Sequence, residues 1–248
     1  MVIVSRRFVD YIAPKKESDL RSMIETCLLF EYAQVWIGSN QLPYNADISK
    51  LMEEYPIEII TRLDIDGNGA TKNQIIPILR KQRRNTPLIA IKCYDSDLTG
   101  WASQDNRLDI LSFPISQIGK LFTNSVAKLM LKFDKHLEIS LASLYWSQEK
   151  FQIQAVRQIK QAMNIATKKH IPIIFNSGSH NIYQLRSPWE LISLAQTLIS
   201  SKDSQIDSIS KIPSSLVSKN QIKISSDYIA PGVFTITENT SKILEEEE

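Results

Sequence analysis

The sequence predicts an α/β protein, a single (β/α)8 TIM-like barrel with extra helices before its last strand. Three observations carry that reading. Short apolar runs alternate with amphipathic stretches along the chain, seven such runs precede residue 180 with an eighth at Val233–Ile236, and 248 residues is the length of eight β/α units. An open doubly wound sheet is the runner-up, because no repeat is visible and only count and length favour the barrel. The most informative stretch is IPIIFNSGSHNIYQLRSP, Ile171–Pro188. Ile171, Ile173, Ile174 and Phe175 suit a strand covered on both faces, with Pro172 tolerable only at its start. Asn176–His180 is a small polar turn, and Ser187-Pro188-Trp189-Glu190 reads as a capping box with proline at the first helical position. The helix that follows places Leu191, Leu194, Ala195 and Leu198 on one face.

In chain order, Val2–Val4 and Phe8–Ile12 indicate a first strand, and Ser18 is placed to cap a helix with Leu20, Met23, Ile24, Cys27 and Leu28 inward. Gln34–Ile37 is a short strand, Ala46–Glu54 a helix and Ile57–Ile65 a longer strand. Asn73 opens a helix burying Ile75, Ile76 and Leu79, with Pro77 acceptable near the first turn. Leu88–Cys93, Leu108–Leu111 and Leu137–Leu141 are further strands, separated by helices around Ser96–Gln104, Ile115–Phe122 and Ser125–Phe133. Gln152–Lys169 is the longest helix, with Ala155, Ile159, Ala162 and Ala166 inward and Arg157, Lys160, Asn164 and Lys168 outward. A Ser-rich helical excursion over Ser200–Asn220 precedes the last strand. One barrel domain is expected over residues 1–236, and the acidic tail 237–248 is expected to fray.

Composition narrows the function classes. With 43% hydrophobic residues the chain can bury a large core, and a net charge of +2 does not by itself declare a nucleic-acid partner. Cys27 and Cys93 stand apart with no metal-binding or redox spacing, which fits reduced thiols in the cytoplasm. No run approaches a membrane span or a signal peptide. In a barrel, polar residues at strand ends gather on one rim, and the candidates are Asp10, Asp64, Asp66, Lys92, Asp109, Ser112, Glu138, Ser140, Ser177 and His180. A metal-dependent hydrolase would need several histidines there; His136 starts a strand and His170 ends a helix, so both belong to the opposite rim and only His180 qualifies. No metal or other cofactor is therefore expected, although carboxylates alone can hold magnesium. There is no nucleophile elbow, P-loop or Gly-rich phosphate cradle, and Ser177 and Ser179 read first as turn residues.

The basic residues are the stronger lead. Arg80, Lys81, Arg83 and Arg84 crowd a helix end, a placement that suits either the helix dipole or an RNA phosphate. Arg157, Lys160 and Lys168 stripe one helix, Arg186 stands just before a helix start, and Arg107 lies between Asp105 and Asp109, either of which it can pair with.

Taken together, Asn106-Arg107 before Leu108–Ser112, Leu137–Leu141, Arg157, and the block Ile173–His180 followed by Leu185-Arg186-Ser187-Pro188 resemble the barrel-shaped protein subunit of ribonuclease P, called protein component 3 in archaea. The resemblance runs from about Val2 to Tyr228–Val233. It implies a barrel that supports a catalytic RNA in removing 5′ leaders from precursor tRNA, with ribonuclease P RNA, precursor tRNA, protein component 2 and other protein subunits as partners. It further implies RNA contact at Arg107, Arg157, His180 and Arg186, with Arg80, Arg83 and Arg84 added from charge. The loop Leu141-Ala142-Ser143-Leu144 carries no Arg, unlike the expected pattern. The fold implied is similar to that of the polymerase and histidinol phosphatase hydrolases, which open on a D-x-H-x-H metal motif. Here Asp10-Tyr11-Ile12-Ala13-Pro14 stands in its place without either histidine, and Gly178 replaces a late Asp, so no catalytic residue is assigned. The alternative is a divalent-metal phosphoesterase of that superfamily, using Asp10, Glu138 and His180.

Overall fold

The computed structural model describes residues 7–38, 48–141, 144, 149–198, 205–225, 228–230 and 233–234. Seven strands alternate with helices: β1 Val9–Ile12, α1 Glu17–Leu29, β2 Gln34–Gly38, α2 Ile48–Glu54, β3 Glu58–Asp66, α3 Lys72–Gln82, β4 Leu88–Lys92, α4 Ser96–Ala102, β5 Ile110–Ser112, α5 Ile118–Leu121, α6 Asn124–Lys132, β6 His136–Ser140, α7 Glu149–Lys168 and β7 Ile173–Asn176. They pair in sequence order and all in parallel, β1 through β7, as right-handed β/α units require. The barrel is as expected, but it is built from seven strands. The expected eighth strand is displaced: Val233–Phe234 (β9) pairs antiparallel with Tyr228–Ala230 (β8) in a separate two-stranded sheet. After α8 (Pro188–Leu198), a short 3₁₀ turn at Asp207–Ile209 leads into α9 (Lys211–Ile224). Leu216 and Val217 of α9 pack with Val9, Trp36, Ile60, Leu88 and Ile174, so this helix plugs the barrel where the strands begin. Val2–Val4, Ala46, Ile236 and the tail from residue 237 lie outside the described residues.

Period-two alternation divides the strand side chains between two cores. Tyr11, Trp36, Ile60, Leu88, Ala90 and Ile110 face the barrel axis. Ile12, Ile37, Ile59, Ile89, Leu111, Ile139 and Phe175 face out and are covered by Leu20, Met23, Ile24 and Cys27 of α1, Leu79 of α3, and Ile159 and Met163 of α7. Burial on both sides explains why the strands read as continuous apolar runs.

Local signals differ from expectation at two helix starts. Ser18 sits inside α1, whose N-cap is Lys16, and α3 is capped ahead of Asn73, by a Thr71–Gln74 capping box. Pro77 falls past the first turn of α3, where it removes one backbone hydrogen bond, and its side is exposed. The box at Ser187–Glu190 forms as expected, with Ser187 N–H donating to Glu190 Oε2 at 2.7 Å.

Closure of the cylinder rests on a narrow seam. Between β7 and β1 the backbone makes one parallel bridge, Ile12 to Ser179, and Ala13 N–H donates to Ser179 O at 2.7 Å. Asp10 completes it: Ser177 N–H donates to Oδ1 at 2.7 Å and Ser177 Oγ to Oδ2 at 2.6 Å, while Ser179 Oγ donates to Ser177 Oγ at 2.6 Å. Gly178 makes the turn possible, since its φ of +60° is left-handed and a Cβ there would stand 2.7 Å from Ser140 Cβ.

Burial pushes the Asp10 carboxyl from 3.8 up to about 7, against the Ser177 hydrogen bonds that lower it. Between those values the unfolded chain ionises while the folded chain keeps its proton, so this group's contribution to stability falls as pH rises from about 4 to about 7 and is flat above. Asp10→Asn cannot titrate. Thermal melts of both proteins should therefore show the wild-type melting temperature dropping relative to the variant across that interval; a constant difference would mean that Asp10 is ionised throughout.

Candidate functional site

A cavity of about 300 Å³ opens at the C-terminal ends of the strands, among Arg62, Asp64, Asp66, Lys92, Glu138 and His180. Its floor is a charge network. Arg62, in the middle of β3, is buried and donates to both carboxylate oxygens of Glu138 on β6, at 2.5 and 3.1 Å. On the same face of β3, two residues on, Asp64 accepts from Arg62 Nε at 2.9 Å. The guanidinium lies 3.3 Å from the centroid of the Tyr11 ring, and the Tyr11 hydroxyl donates to Asp64 Oδ2 at 3.0 Å. Asn176 Nδ2 adds a hydrogen bond to Glu138 Oε1 at 2.7 Å. Burial works against the Arg62 charge, but Asp64 and Glu138 outweigh it and hold its pKa above the ordinary value.

Chemically, the guanidinium stands where two carboxylates converge, the position in which a cation would otherwise be attracted. The sequence reading missed Arg62. The available signal was an Arg inside the apolar run IEIITRLDI with Asp two residues later, the spacing that puts both on one strand face.

The rim candidates separate. Asp64, Asp66, Lys92, Ser112, Glu138, Ser140 and His180 line the mouth. Asp10 and Ser177 do not: Asp10 alternates with the inward Val9 and Tyr11, so it faces out and holds the seam. Asp109 is also misplaced by the sequence, because β5 starts at Ile110. It lies at the opposite end, accepting from Arg83 Nη1 at 2.5 Å and from Ile89 N–H at 2.9 Å. His136 and His170 are at that far end too, as expected.

The basic candidates fall into three places. Arg80, Arg83, Arg84 and Arg107 belong to the end where the strands begin. There Arg80 and Arg84 are exposed, Arg83 is engaged by Asp109 and by Arg107 O at 3.3 Å, and Arg107 clasps Asp105 at 2.5 Å. Arg157 is exposed on the flank, on α7. His180 and Arg186 follow β7 at the mouth; His180 Nδ1 is 2.9 Å from Ala13 O, and Arg186 Nη1 donates to Leu185 O at 2.6 Å and Tyr183 O at 2.9 Å. The structure does not gather the seven into one site.

The sequence matches the family described as RNase P subunit p30 over residues 7–225, which takes in the whole seven-stranded sheet, its helices and the α9 plug. The chain belongs to the RNase P subunit p30 family. Among curated relatives, it is similar to Ribonuclease P protein component 3 of Methanosarcina barkeri, 19% identical over 183 residues, 74% of this chain and 75% of that one. With the same component of Methanosarcina acetivorans it shares 20% identity over 216 residues, 86% of this chain and 89% of that one. In three dimensions, 93% of the chain overlays 98% of a chain from a cryo-EM structure of archaeal Ribonuclease P with mature tRNA, at a TM-score of 0.77 and 17% identity. A p30-family chain is a protein subunit of ribonuclease P, the enzyme that processes tRNA 5′ ends.

Replacing Arg62 by methionine keeps much of its bulk but leaves Glu138 buried without its counter-charge. Breaking such a pair costs about 3–5 kcal/mol. Urea unfolding of Arg62→Met should show a loss of that order, and a loss under about 1 kcal/mol would mean that the network does not hold the mouth together.

Proposed function

We propose that this p30-family chain is a non-catalytic body of ribonuclease P, a rigid barrel that binds and supports the RNA while the RNA performs the cleavage. The observation that carries this reading is Arg62: the two mouth carboxylates best placed to hold a metal are engaged by a fixed guanidinium. The phosphoesterase alternative needs Asp10, Glu138 and His180 to converge. Asp10 is turned to the seam, Glu138 faces Arg62, and His180 faces Ala13 O. The partners of the chain are then ribonuclease P RNA, precursor tRNA and other protein subunits, protein component 2 among them, and its place of work is the cytoplasm. Among the described residues no helix is long and apolar enough to cross a membrane.

RNA contact at Arg80, Arg83, Arg84, Arg107, Arg157, His180 and Arg186 is part of the proposal. Hydrogen bonds within the protein do not remove Arg107 or Arg186 from that role, because each guanidinium has five N–H donors and both stay partly exposed. Held by Asp105, Arg107 presents its remaining donors in a fixed direction.

The test is reconstitution of ribonuclease P from its RNA and protein subunits, with leader removal from precursor tRNA as the readout. The chain alone should not cut, and adding it to the particle should raise cleavage. Arg107→Ala and Arg186→Ala should each lower cleavage several-fold. The Asp105 side chain is only 8% exposed, so Arg107→Ala should also lower the melting temperature, and cleavage is therefore measured well below the melting point of each variant. Undiminished cleavage in both variants removes these two positions, and metal-dependent cleavage by the chain alone overturns the non-catalytic role.

A further inference from the structure

Charge in this protein is strongly segregated. From Ile110 to Phe133 and from Lys150 to Trp189 the sequence has nine Lys and Arg and no Asp or Glu, so the remainder of the chain carries seven more acidic than basic residues. Those two segments are neighbours in space, because α5 and α6 pack against α7. The approach is close: Gly119 N–H donates to Gln158 Oε1 at 2.9 Å, and a Cβ at Gly119 would collide with that oxygen. The result is one flank on which six exposed cations gather: Lys120, Lys128 and Lys132 from α5 and α6, and Arg157, Lys160 and Lys168 from α7.

Along α7, Arg157, Lys160, Asn164 and Lys168 follow one face, spanning about 16 Å at 1.5 Å per residue. They border an open groove of about 650 Å³, closed on its other side by Asn124, the first residue of α6. Asn124 brings the start of α6 to the same groove, with Thr123 Oγ1 accepting from Val126 N–H at the helix cap. Asn164 and Gln161 supply neutral donors between the cations. Among the described residues none of these side chains is in a salt bridge, in contrast to Arg83 and Arg107 at the strand-start end.

We infer that the α6–α7 groove is the main RNA-binding surface of this subunit and that it tracks a phosphate backbone. This rests on the ribonuclease P reading above and adds where the RNA lies. Like charges packed on one flank repel one another and lower the stability of the free protein, a cost that a polyanion relieves. The spacing of the cations along a convex helix suits the outer face of folded RNA. The deep, narrow major groove of A-form RNA keeps its base edges from such side chains, so binding here is chiefly to phosphate and 2′-hydroxyl.

The full chain is titrated against a transcript of ribonuclease P RNA at several salt concentrations. Three proteins are compared: wild type, Arg157→Gln/Lys160→Gln/Lys168→Gln, and a control with the same charge loss elsewhere, Lys15→Gln/Lys72→Gln/Lys211→Gln. All six side chains are exposed, so all three proteins should fold, and melting curves check this. The α7 variant should bind at least tenfold more weakly near 0.1 M salt, and the slope of log K against log salt should fall by about 2–3, roughly one for each phosphate that is no longer neutralised. The control should stay within threefold of wild type. Equal weakening of both variants, or an α7 variant that binds like wild type, overturns the groove while leaving the subunit reading intact. If the α7 variant keeps its RNA but no longer enters the reconstituted particle, the groove belongs to a protein partner and the inference is wrong. A wild-type chain that fails to bind the transcript at low salt overturns both.

Discussion

One buried guanidinium organises the barrel. Arg62 reaches across from β3 to Glu138 on β6, two strands that are not neighbours, and stacks on Tyr11 of β1 while holding Asp64 beside it. Removing four such groups from water is costly, and their mutual attraction offsets that cost only because each carboxylate oxygen facing the centre has a donor. The strut fixes the distance across the mouth. It also fills, with a charge that cannot dissociate, the place where a cavity in this type of fold gathers negative potential.

The rest of the cylinder follows from that fixed centre. Seven parallel strands must still meet, and β7 meets β1 through little backbone pairing, so Asp10, Ser177 and Ser179 take over with side-chain hydrogen bonds. At the other end, α9 supplies Leu216 and Val217 to close the axis. Strut, seam and plug together turn a potentially open sheet into a rigid body, which is what a protein that positions RNA requires.

Much of this was legible in the sequence. Continuous apolar runs gave the strands because both faces are buried, and the Ser187–Glu190 box announced α8. The strand total was not legible: Val233–Phe234 has the composition of a barrel strand, and only the path of the chain, which crosses beneath the barrel as α9, sends it elsewhere. Asp10 was read as a rim residue because one residue along a strand reverses the face, and Asp109 because it was counted inside a strand, Leu108–Leu111, that begins only at Ile110. Arg62 was hidden for a different reason. Its partner Glu138 is 76 positions away, and pairing at that distance is set by the closure of the sheet. Net charge was the least informative quantity of all, since +2 conceals two segments, Ile110–Phe133 and Lys150–Trp189, that together hold nine cations and no anions.

On the proposed function, a mouth neutralised from within and a flank rich in cations suit this subunit to holding RNA rather than to cutting it. The most direct test of the first half of that claim is a calorimetric titration of the purified chain with manganese(II). With Arg62 in place no saturable uptake is expected. One equivalent bound tightly, and lost in Glu138→Gln, would show that the mouth still holds a metal and would contradict the central claim.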